Sequence, residues 1–166
     1  SLDWVKGEIS ETLGQARLAL EAYVATPEDS TRLRFCLTYI HQVHGTLQMV
    51  EFYGAALLAE EMEKLAQALM HGTTAREGEA LEVLMQGILQ LPAYLDRVQM
   101  GRRDLPMVLL PLLNDMRSAR GDKLLSENVL FQPDLGPQGT QTRRLRQPIL
   151  PTSRSCSSCV NCVRSI

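Results

Sequence analysis

The chain predicts an all-α, antiparallel up-and-down bundle of four to five helices with a poorly ordered C-terminal tail, and three observations carry the prediction. Apolar residues recur at spacings of three and four from Leu2 to Met116, the period of helices with one buried face. With 45% hydrophobic but only 5% aromatic residues, the core must be built of Leu, Met, Val and Ala, which suits helices. The connections between the periodic stretches are short, so successive helices are expected to be antiparallel neighbours.

Leu2, Val5, Ile9, Leu13, Ala16, Leu20 and Tyr23 mark a first helix. Thr26-Pro27-Glu28-Asp29-Ser30 ends it and supplies N-caps for the next. In the second helix the stripe is Leu33, Cys36, Leu37, Ile40, Val43, Leu47 and Val50. A third is expected from about Gly54 to Met70, where Leu58, Met62, Leu65 and Leu69 form a near-heptad seam. His71-Gly72 closes it, with His71 as a capping charge at the C-terminus. The fourth runs from Gly78 to Met100 through Leu81, Leu84, Ile88, Leu91, Leu95 and Val98, and Pro92 should kink it. Pro106 can open a fifth helix carrying Leu109, Leu112, Leu113 and Met116 toward the core, although Pro111 weakens that reading.

A helical domain over 1–121 is therefore expected, followed by a linker and tail over 122–166. Gln132-Pro133-Asp134-Leu135-Gly136-Pro137-Gln138-Gly139 has linker composition, and the basic cluster Arg143, Arg144 and Arg146 has no apolar face beside it. Cys156, Cys159 and Cys162 are closely spaced thiols, but a closed zinc site takes four ligands, the tail has no histidine, and Cys36 belongs to the apolar stripe. No metal or cofactor is expected.

The net charge of −2 over 166 residues gives no electrostatic case for nucleic acid or an anionic membrane. No apolar run approaches the ~20 residues of a membrane span. Ser1-Leu2-Asp3-Trp4 carries no basic-then-apolar signal segment, and a cytoplasmic location is the expectation. No phosphate loop, His-Glu-x-x-His or Gly-x-Ser-x-Gly motif occurs.

The most informative stretch is Thr38-Tyr39-Ile40-His41-Gln42-Val43-His44-Gly45-Thr46-Leu47. On a wheel of about 100° per residue His44 falls near the centre of the apolar arc, whereas His41 lies at its margin beside Arg34, Gly45 and Gln48. His41 should therefore be open to solvent and partners, while the His44 ring packs against the bundle, neutral and hydrogen-bonded. Gly45, four residues after His41, stacks on the same face and leaves bare backbone where another protein can approach the imidazole.

His41-Gln42-Val43-His44-Gly45 resembles the His-x-x-Lys-Gly core of histidine phosphotransfer (Hpt) domains. Leu58-Ala59-Glu60-Glu61-Met62-Glu63 is similar to the Leu-x-His-x-Met-Glu stretch of the neighbouring helix in those domains. With Arg34-Phe35-Cys36-Leu37, Met49-Val50-Glu51-Phe52-Tyr53-Gly54 and 105–115, the likeness extends over about 2–135 to the Hpt-like N-terminal region of ChpA-type hybrid kinases, which are CheA-like and act in type IV pilus, or twitching-motility, signalling. The resemblance implies that His41 accepts phosphate through Nε2 from a CheA-type kinase core and passes it to aspartates of receiver domains. It also implies that Glu63 orients the imidazole, that His44 stands in for the lysine, that Gly45 gives partners access, and that Arg34, Thr38 and Gln48 contact them.

Three positions depart from the Hpt pattern. His44 replaces the fixed positive charge of the lysine, Glu51 replaces a glycine, and Glu60 replaces a second histidine, so added carboxylates oppose an incoming phosphoryl group. FimL-type scaffold proteins of the same pathway resemble the region without a usable histidine. Two readings follow: a phosphotransfer module working through His41, or a degenerate Hpt-like domain that docks receiver or pilus-regulatory scaffold proteins without transfer.

Overall fold

A computed structural model of the chain describes residues 2–101 and 106–130. They form an all-α bundle within the unit Ser1–Gln132, with no strand among the described residues. The sequence-predicted linker, basic cluster and three-cysteine segment, all beyond residue 131, lie outside the described residues.

Four long helices make the bundle: α1 (Leu2–Ala25), α2 (Ser30–Met49), α3 (Tyr53–His71) and α4 (Glu77–Gln99). In α1 and α2 the fully buried residues follow the 3.6-residue period: Ile9, Leu13, Ala16 and Leu20 on one, Leu33, Cys36, Ile40, Val43 and Leu47 on the other. Helix α3 is buried on a wider arc. Ala55, Ala59 and Ala66 lie beside the Leu58–Met62–Leu65 seam, and these small side chains let α2, α4 and the following helix pack around it. Asp29 caps α2 by accepting from the Thr31 backbone N–H at 3.2 Å, while Gly72, at φ 66°, closes α3 in the left-handed conformation expected there.

Antiparallel order is visible in side-chain contacts between α1 and α4. The start of α1 meets the end of α4 through the Lys6–Asp96 ion pair. At the other end, the Tyr23 hydroxyl donates to Glu77 Oε1 at 2.8 Å, and that bond, with burial, raises the phenol above its ordinary range.

Helix α4 extends from Glu77 to Gln99 with Pro92 inside it. One expectation needs adjustment. Pro106 opens a 3-10 turn, Pro106–Leu109, rather than an α-helix; α5 (Leu110–Ala119) begins after it, with Pro111 in its first turn, where a missing N–H costs nothing. Leu109, Leu112, Leu113 and Met116 are buried as expected. After Gly121 the chain stays against α5, because Asn114 accepts from Leu125 N–H at 2.7 Å and donates to its carbonyl at 3.1 Å. A single-turn α6 (Glu127–Leu130) follows.

Candidate functional site

The buried rows of α2 leave a complementary outer row, and Arg34, Thr38, His41, Gly45 and Gln48 follow one another along it at intervals of four and three. Arg34, Thr38, His41 and Gln48 are exposed and Gly45 is partly covered. The Thr38 hydroxyl is turned back onto the Arg34 carbonyl at 3.0 Å. A Cβ built on Gly45 would meet nothing within 4 Å. The helix therefore presents open backbone one turn beyond His41, as the i, i+4 spacing suggested.

His41 Nδ1 lies 2.6 Å from Glu63 Oε1 of α3, and the His41 side chain is 70% exposed. Glu63 is only 15% exposed. Its other oxygen, Oε2, lies 2.8 Å from Nδ1 of His44, whose side chain is 16% exposed. One carboxylate thus accepts from two imidazoles three residues apart on α2, so each ring carries its proton on Nδ1. That tautomer leaves Nε2 of His41 as its lone-pair nitrogen, with the ring held by a charge-assisted bond. Nε2 of His44 is buried without a hydrogen-bond partner.

The sequence pairing of His41 with Glu63 is present in the structure. What it missed is the use of the same carboxylate by His44. The available signal was the three-residue spacing of the histidines, which turns both toward α3. Glu60 points elsewhere: it pairs with Lys64 at 3.1 Å along α3.

A second missed feature is Glu61, fully buried at the edge of the α3 seam. Its Oε1 accepts from Arg117 Nε and its Oε2 from Arg120 Nη2, both at 3.0 Å, which fastens α5 onto α3. A carboxylate beside an apolar seam, with two arginines three residues apart on a later helix, was its sequence signal. Cys36 is buried, and burial pushes its thiol up to about 12. Among the described residues no cluster of His, Cys, Asp and Glu has the arrangement of a metal site, and no helix is long and apolar enough to cross a membrane.

Comparison with known proteins matches residues 2–112 to the FimL C-terminal domain. The chain is 33% identical over 135 residues to the scaffold protein FimL of Pseudomonas aeruginosa, an alignment that covers 81% of this chain and 24% of that protein. The chain thus spans about a quarter of the length of the relative it matches. No solved structure matches it. The likeness is to a scaffold; the finer resemblance to kinase-linked Hpt domains has no counterpart among these matches.

Proposed function

Since the chain belongs to the FimL C-terminal domain family, we propose that it is a docking module of a type IV pilus, twitching-motility, scaffold, and that the outer row of α2 is its contact surface. The likeness to a scaffold protein carries this reading. The geometry fits it. Arg34, Thr38 and Gln48 offer polar contacts, Gly45 leaves the helix backbone open, and half-exposed Phe35 adds an apolar anchor beside them. Partners of this face are receiver domains or pilus-regulatory proteins in the cell interior.

Phosphotransfer through His41 is the second reading, favoured by one observation: the 2.6 Å contact between Glu63 and Nδ1, which leaves Nε2 as the nucleophilic nitrogen. Against it stands the absence of a fixed cation at position 44. His44 is turned to Glu63 and provides no fork or ammonium for a phosphoryl group.

Calorimetric titration of the chain with receiver domains of the pathway tests the docking reading. His41→Gln should bind within about twofold of the parent, whereas Gly45→Arg, which fills the open backbone on a solvent-facing row, should lose at least about tenfold. Equal binding by parent and Gly45→Arg would place docking on another surface.

A further inference from the structure

The docking row of α2 borders a second exposed row. Phe35, Thr38, Gln42, Gly45 and Met49 recur at intervals of three, four, three and four, the repeat by which one helix lies along another. Phe35 and Met49 are exposed apolar side chains at its two ends, and at Gly45 the backbone is open to close approach. These ends are 14 residues apart, about 21 Å along the axis at about 1.5 Å per residue. Arg34, His41 and Gln48 each come one residue before Phe35, Gln42 and Met49. They flank the seam on one side, the position from which charges select the partner of a paired helix.

The charge on this face has one sign. Helix α2 contains no Asp or Glu, whereas α1, α3 and α4 each contain at least three. Its Arg32 is engaged by Asp29 at 3.6 Å, while Arg34 is exposed and makes no ion pair among the described residues. Glu21, near the end of α1 and so beside the start of α2, is held by Arg17 at 3.1 Å. On α3, Glu60 is held by Lys64 and Glu63 by the two imidazoles. The exposed carboxylates left over lie off the seam: Glu28 in the turn before α2, six residues from Arg34, and Glu8, Glu11 and Glu51 toward its far end.

We propose that the α2 face docks an amphipathic helix of a partner protein, at least four turns long, that sets an aspartate or glutamate over Arg34. The inference rests on the docking reading and names the occupant of that row. The seam asks for a helix, and the unpaired guanidinium asks for a carboxylate, which its planar fork binds through two N–H donors. The positive N-terminal half of α2 adds to the preference. A second copy of α2 has no carboxylate to offer, so it is not the occupant. Because Arg34 stands at the rim, it governs partner choice and salt dependence more than total affinity.

The test uses a receiver domain of the pathway as probe, titrated calorimetrically at about 50 mM and about 300 mM salt. Parent, Arg34→Glu and Gly45→Arg are compared. At the lower salt Arg34→Glu should bind at least about tenfold more weakly than the parent and should lose most of the parent's salt dependence. Acidic residues of the receiver are then reversed to lysine one at a time. One of them, on a receiver helix, should restore Arg34→Glu to within about threefold of the parent pair. Binding of Arg34→Glu within about twofold of the parent, while Gly45→Arg loses binding, would overturn the acidic helix and leave docking on α2 standing. Rescue by a residue outside a helix, or by none, would also overturn it. Full binding by both variants would overturn the docking reading and this inference with it.

Discussion

His44 Nδ1 sits 2.8 Å from Glu63 Oε2, so its ring is held by the same carboxylate that orients His41. The arrangement makes His44 a support for the α2–α3 contact. Replacing Glu63 with Gln removes the charge and leaves one imidazole facing an amide N–H₂. Chemical denaturation should show a loss of about 1–2 kcal/mol, most of it from the partly buried His44 bond rather than the exposed His41 bond. Imidazole nitrogen NMR should show the ring that faces the amide N–H₂ losing its Nδ1–H tautomer while the ring that faces the amide oxygen keeps it.

The buried Glu61 carboxylate, with Arg117 and Arg120 at 3.0 Å, is a stronger structural joint than the His41 site. Removing one partner of a buried pair strands the rest. Glu61→Ala should cost about 3–5 kcal/mol by urea unfolding and release α5 from α3, which hydrogen exchange in 110–119 would register.

Glu51, in the turn between α2 and α3, adopts φ 62°. That is the left-handed region, where a side chain is strained. Glu51→Gly should raise the unfolding free energy by about 1 kcal/mol, because relief of the strain exceeds the added chain entropy.

The Cys36 thiol, pushed up to about 12 from 9.0 by burial, binds its proton more tightly when folded. Its contribution to stability is complete below pH 9 and is lost as pH rises toward 12. In a chain whose other three cysteines are serine, the urea midpoint should fall more steeply across that window than it does in the matching Cys36→Ala chain. Labelling of Cys36 at pH 8 should follow global unfolding.

How much of this was legible depends on the period of each segment. The buried rows Leu33-Cys36-Ile40-Val43-Leu47 and Leu58-Met62-Leu65-Leu69 could be read directly, because a single buried face leaves an unambiguous 3.6-residue signal. The start of α5 was displaced because Pro106 and Pro111 both suit a first turn, and only packing of Leu109 chooses between them. At the site, the His41–Glu63 pair followed from a motif. The His44 share of Glu63 and the Glu61 clasp depend on how α2, α3 and α5 meet in space, which helix periodicity does not encode.

The central claim, docking without phosphotransfer, is tested most directly by the intact mass of the chain. It would be incubated with an active CheA-type kinase core and ATP, beside a working Hpt domain as positive control and a His41→Gln chain. The account predicts phosphate on the control domain, none on this chain, and receiver binding retained by both parent and His41→Gln. An acid-labile phosphate on the parent that is missing from His41→Gln would contradict it and make His41 a relay residue.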